Sequence, residues 1–152
     1  MKHIIFMVAI FAASFVSAQD VNSLQWFTNM EEAKTAASEN SKNILMVFAG
    51  SDWCKPCIQF KKDILQNSDF GTDHKQKLVV LYLDFPARKK NKLPKEQTKY
   101  NEALADQYNR SGTFPKIILL DAQGAKLKTI AFEGQSPEAF TAELSSAKTN
   151  QQ

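Results

Sequence analysis

The chain has two cysteines, Cys54 and Cys57, and both stand in Trp53-Cys54-Lys55-Pro56-Cys57. A CxxC can serve thiol–disulfide exchange or supply half of a metal site. Tetrahedral zinc needs two further ligands; past His3 the only histidine is His74, and there is no second CxxC, so no metal is assigned. A scaffold of disulfides joining distant segments is excluded on the same count. Redox chemistry is left, and it has a physical basis if the motif opens a helix. The first amides of a helix lack internal partners and its N-terminal end favours negative charge, so the leading sulfur is stabilised as thiolate. Cys54 is then the attacking sulfur, and Cys57, one turn further in, is placed to resolve a mixed disulfide. Lys55 adds a positive charge that favours the thiolate of Cys54. As an inert clip the pair would achieve little, because so small a ring stabilises less than the ~3 kcal/mol of a 15-residue loop.

The elements around the motif are those such a site requires. Ile44 to Ala49 is a continuous apolar run, expected of a strand covered on both faces, and Gly50-Ser51-Asp52 turns the chain at its end. From Trp53-Cys54 a helix is expected to about Gln66, with Cys57, Phe60 and Ile64 on one face and Pro56 tolerated in the first turn. Leu78 to Leu83 is a second apolar strand, so strand, helix and strand form a βαβ unit whose ligand edge is the end carrying the cysteines. An earlier helix, capped by Thr28 or Asn29, runs to about Asn40, and another spans about Pro94 to Asn109. Arg88, Lys89, Lys90, Lys92 and Lys95 read as a solvated basic loop. Lys116 to Leu120 and Ala125 to Phe132 form an antiparallel pair across the Asp121-Ala122-Gln123-Gly124 turn. A last helix has Ser136 as its cap and Pro137 at its first position.

The 152 residues suffice for one domain, and 19 basic against 16 acidic side chains are too balanced to point to nucleic acid or an anionic membrane. Lys2 and His3 precede an apolar run from Ile4 to Val16 that ends in Ser17-Ala18, the pattern of a cleaved signal peptide over residues 1–18. The run is shorter than the ~20 residues of a bilayer span. The mature domain, residues 19–152, is expected to be periplasmic or secreted, without stable membrane insertion, where disulfide chemistry is permitted.

Phe48-Ala49-Gly50-Ser51-Asp52-Trp53-Cys54-Lys55-Pro56-Cys57, with Phe114-Pro115 ahead of a later strand, resembles the thioredoxin superfamily. Within it the chain is most similar to small exported proteins related to the C-terminal domain of the bacterial transmembrane disulfide reductase. The resemblance covers about Trp26 to Leu144 and implies an α/β thioredoxin fold, a central mixed sheet flanked by helices, needing no cofactor. It implies that Pro115 is a cis-proline beside the cysteines and that Phe114 offers its backbone to an extended substrate. Trp53, Lys55 and Pro56 complete the expected substrate-contacting surface. From the residue pattern alone Pro115 equally suits a strand-initiating proline, since roughly one X-Pro bond in twenty is cis. The chain departs from the pattern twice: the strand before the motif lacks the buried acid of thioredoxins, and Lys62 stands where they have a kinking proline.

Two functions fit these residues. One is a disulfide reductase acting on protein or peptide disulfides and recharged by a membrane-embedded reductase. The other is a peptide-binding module or holdase of the same fold, with incidental cysteines. Pro56 favours the first, because a histidine in its place would add charge and hydrogen bonds to the leading sulfur and make the disulfide strongly oxidising, and proline adds neither.

Overall fold

A computed structural model describes residues 23–146; the expected signal peptide lies outside them. Five strands form one sheet in the order β1 (Gln25–Phe27), β3 (Leu78–Asp84), β2 (Asn43–Ala49), β4 (Lys116–Leu120), β5 (Lys126–Ile130). β1 and β2 run parallel to β3, whereas β4 runs antiparallel to both β2 and β5. The sheet is therefore mixed, with β2 paired along both edges.

The unbroken apolar run of β2 divides between two cores. Leu45, Val47 and Ala49 face α2 (Lys55–Phe60), α3 (Ser68–His74) and α5 (Pro137–Ser146), where they meet Phe60, Phe70 and Phe140. Ile44, Met46 and Phe48 face α1 (Met30–Glu39) and α4 (Lys95–Tyr108), where they meet Met30, Ala33, Tyr100 and Leu104. Ile44 to Phe48 are fully enclosed, and the second-face requirement explains why no polar residue interrupts them.

α1 begins where expected, with the Asn29 side chain accepting from the Glu31 and Glu32 amides at 2.8 and 3.2 Å. The hairpin turn is held by Asp121, whose Oδ1 accepts from the Gln123 and Ala125 amides, and by Gly124 at φ 89°. β5 stops at Ile130, two residues short of the expected Phe132, which instead packs on Phe60 at 5.0 Å between ring centroids.

Two elements were not expected from the sequence. β1 has only three residues, too few for an alternation to register. α3 is built from Ser68-Asp69-Phe70-Gly71-Thr72-Asp73-His74, weak helix formers that an Asn67 cap and burial of Phe70 and His74 hold in place. The helix after the cysteines also differs in kind. Beyond Phe60 its hydrogen bonding widens to a π-turn over Lys61–Leu65, with Gln66 N–H donating to the Lys61 carbonyl at 2.9 Å.

His74 is 5 % exposed, stacks on Phe70 at 4.2 Å, and has Nδ1 3.0 Å from the Phe70 carbonyl. Burial lowers its proton affinity; the Phe70 carbonyl opposes this, Lys77 reinforces it and Asp73 opposes it. Because the folded value is depressed, the unfolded chain takes up the proton first as pH falls. The stabilisation is present above about pH 6.5, the ordinary histidine value, and is lost as pH drops through the folded one. Thermal unfolding from pH 8 to 5.5 is expected to show a falling Tm that His74→Gln flattens; equal slopes in both proteins would refute the assignment.

Candidate active site

The site is assembled at the end of β2. Trp53 and Cys54 amides both donate to the Gly50 carbonyl, at 3.4 and 3.0 Å, closing the turn from strand to helix. Gly50 is required there because a Cβ would overlap Cε2, Nε1 and Cζ2 of the Trp53 indole. Cys54 is the N-cap of α2, with extended backbone, and its Sγ accepts from the Cys57 amide at 3.3 Å. Cys54 and Cys57 are joined by a disulfide with Cα atoms 5.2 Å apart, within the ordinary range. Cys54 is 5 % exposed and Cys57 1 %.

α2 is held by Phe60 and, beyond it, Ile64, both fully enclosed. Burial of such a side chain contributes about 1.5–3 kcal/mol. Lys55 and Pro56 stand on the exposed outer side of the motif, and Pro56 lies in the first turn, where its missing N–H leaves no bond unmade. Trp53 is 50 % exposed; its indole N–H donates to the Phe85 carbonyl at 2.7 Å and its ring meets Phe114 edge-on at 5.3 Å. The Phe114–Pro115 bond is cis. Pro115 leads directly into β4, whose Lys116 pairs with Phe48, so β2 and β4 bring Phe114 and Pro115 to the sheet end that carries the cysteines. Trp53 and Phe114 are thus in direct contact with each other.

Sequence reasoning missed how this turn is fastened. Ser51 donates through its amide to Asp84 Oδ1 at 2.9 Å and through its hydroxyl to Oδ2 at 2.6 Å. Asp52 accepts from the Ala87 and Arg88 amides at 2.9 and 3.0 Å and from Asn91 Nδ2 at 2.8 Å. The Ala87 amide is the main reason its carboxyl is held below the usual value, with Asn91, Arg88 N–H and the Arg88 charge adding to it against some desolvation. Asp52 therefore anchors the loop as a carboxylate whose charged form is favoured. The one sequence signal was the acid that closes the apolar run of β3 at Asp84, level with Ala49 on β2.

On the cysteine face β3 presents Asp84 at its end, where it holds Ser51, and Tyr82, whose proton affinity is pushed up to about 12 by burial, with the Asp84 charge adding. Its hydroxyl has no hydrogen-bond partner among the described residues, and the Lys61 ammonium lies 5.0 Å from its ring centroid. Among the described residues no group of His, Cys, Asp and Glu could hold a metal ion.

The profile of the thioredoxin-like domain family matches residues 30–148. Disulfide bond reductase DsbH of Chlamydia pneumoniae is 36% identical over 125 residues, 82% of this chain and 73% of that protein. A solved structure titled DsbH oxidoreductase superposes with a TM-score of 0.74 at 31% identity, covering 90% of this chain and 94% of the other. The oxidised C-terminal domain of Neisseria meningitidis DsbD shares the fold at a TM-score of 0.55 and 17% identity, over 82% and 99% of the two chains. By profile, fold and cysteine pair together, the chain belongs to the thioredoxin-like family and is a thiol–disulfide oxidoreductase.

Proposed function

We propose that this protein is an exported disulfide reductase in which Cys54 attacks the substrate and Cys57 resolves the adduct. The observation that carries the reading is the unequal placement of the two sulfurs. Cys54 caps α2 and receives the Cys57 amide, while Cys57 is the more enclosed, one turn along. A sulfur that accepts an amide hydrogen at a helix start is favoured as thiolate.

In the reduced protein the Cys54 thiolate attacks one sulfur of a substrate disulfide, forming a mixed disulfide and expelling the other substrate sulfur as a thiolate. Cys57, as thiolate, then attacks Cys54; the Cys54–Cys57 bond closes and the second substrate sulfur leaves. Two electrons pass from the cysteine pair to the substrate, whose two thiolates take up protons from water, and the disulfide in the structure corresponds to the enzyme at the end of this half-reaction. The proton of Cys57 passes to the medium; Asp52 and Asp84 are already engaged by the redox turn and Tyr82 keeps its own. A dithiol donor returns the electrons by the reverse exchange, a role suited to a membrane-embedded reductase. Trp53, Lys55, Pro56, Phe114 and Pro115 are assigned to the substrate-contacting surface around the exposed side of Cys54.

The reducing direction is supported by Pro56, which adds no charge to Cys54, and by the name of the 36% identical relative, a disulfide bond reductase. Export is supported by the apolar run from Ile4 to Val16 behind Lys2. No helix among the described residues is long and apolar enough to cross a membrane.

Cys54→Ser is expected to bring disulfide reduction down to the uncatalysed level, whereas Cys57→Ser should accumulate mixed disulfides with substrate, read by non-reducing electrophoresis and mass spectrometry. Equal loss with no trapped adduct from either variant would overturn the two roles. Alkylation of the reduced protein should titrate below the ordinary thiol value of ~8.5; an ordinary value would favour the peptide-binding module instead. Equilibration in glutathione buffers is expected to give a potential near thioredoxin's roughly −270 mV, and a value more positive than about −180 mV would sink the reductase direction.

A further inference from the structure

The segment leaving β3 carries five basic residues from Pro86 to Lys95 and no acidic one, in a chain that is otherwise nearly balanced. Read from sequence it was a solvated loop, but the structure does not leave it free. Three consecutive residues of the redox turn are fastened to its beginning: Ser51 to Asp84, Asp52 to Ala87, Arg88 and Asn91, and Trp53 to the Phe85 carbonyl. Among the described residues none of Arg88, Lys89, Lys90, Lys92 and Lys95 is in an ion pair, and all five are exposed. The start of the segment is thus held in place by its backbone; Arg88 is partly offset by the Asp52 carboxylate, and the four lysines have no ion pair among the described residues.

Beneath this segment lies a groove of about 500 Å³ with Phe85, Pro86 and Leu93 as apolar wall and Lys92, Lys95 and Lys99 beside them. Of its two carboxylates, Asp84 is already bound by Ser51, which leaves Glu102 against the lysines. The wall of the groove also packs against residues beside the redox motif, and the Phe85 carbonyl accepts the Trp53 indole N–H at 2.7 Å. Phe85, in its wall, meets Phe114 edge-on at 5.4 Å, and Phe114 meets Trp53 at 5.3 Å.

We propose that this groove and its basic rim form a docking site for an acidic segment of the substrate protein, lying a few residues from the disulfide that Cys54 attacks. The proposal rests on the reductase reading for its purpose. Charge complementarity selects the occupant: carboxylates pair with the exposed lysines while a neighbouring apolar side chain fills the space against Phe85 and Leu93. Complementary charge of this kind raises encounter rates and selects among partners more than it adds affinity.

The test uses the mature protein and peptides of matched length, each with one intramolecular disulfide flanked a few residues away by aspartates, lysines or serines. At low salt, kcat/KM for the acidic peptide should exceed that for the basic one about ten-fold. In 0.5 M NaCl, where screening acts within roughly 3–10 Å, the preference should shrink to about two-fold. The triple variant Lys89→Glu, Lys90→Glu, Lys92→Glu should reverse the preference yet reduce a small uncharged aromatic disulfide at the wild-type rate, which shows that the redox site is intact. Fluorescence anisotropy of a cysteine-free acidic peptide reads docking without any redox step, so it separates failure of this proposal from failure of the reductase reading. Equal rates for the three peptides, or an acidic peptide that binds wild type and triple variant alike, would overturn docking. Phosphatidylglycerol vesicles bound through these lysines while the acidic peptide is not would overturn it in favour of a membrane surface.

Discussion

The placement of β2 is the constraint on which the rest depends. A strand hydrogen-bonded along both edges and packed on both faces has no freedom to slide or rotate, because a shift of one residue would exchange its two apolar sets. Its end is therefore a fixed point. The Gly50 turn begins there, α2 starts from that turn, and Phe60 and Ile64 lock the helix against the same sheet. The position of the sulfurs follows from a strand whose two faces are both buried in apolar cores.

On this fixed point the turn is fastened a second time, sideways. Ser51, Asp52 and Trp53 each find a different partner on the segment leaving β3, one through a carboxylate, one through backbone amides and one through a carbonyl. Each bond satisfies a group that the sharp turn would otherwise leave to water. Together they tie the redox turn to the start of the basic segment. The exposed indole of Trp53 also meets Phe114, whose bond to Pro115 is cis.

The chain also meets the familiar needs of the fold by different means. Where thioredoxins carry a kinking proline, the helix here widens into a π-turn around Lys62, which changes its course without removing a backbone donor. Where they carry a buried acid, β2 is apolar from Ile44 to Ala49, and that face of the neighbouring strand carries Tyr82, which stays neutral, and at its end Asp84, bound to Ser51. A neutral phenol carries no charge to be desolvated, which suits a core this apolar.

The amino-acid sequence by itself determined the parts whose signal is local. An apolar run of β2 length, a CxxC just past a glycine turn, Asn29 at a helix start and Asp121 to Gly124 in a hairpin each act through neighbours within a few residues, so residue types and spacing suffice. β1 and α3 escaped because one is too short to show a period and the other is helical against its own propensities, held by Phe70 and His74 in the core. Tertiary structure alone decided which residues surround the cysteines. Asp52 read as part of a turn and became an anchor, Asp84 closed a strand and became the partner of Ser51, and the basic run, read as a solvated loop, proved fastened to the redox turn at its start. Those pairings join positions 32 to 39 residues apart, and nothing in either segment specifies the other until β2 and β3 pair and bring their ends level.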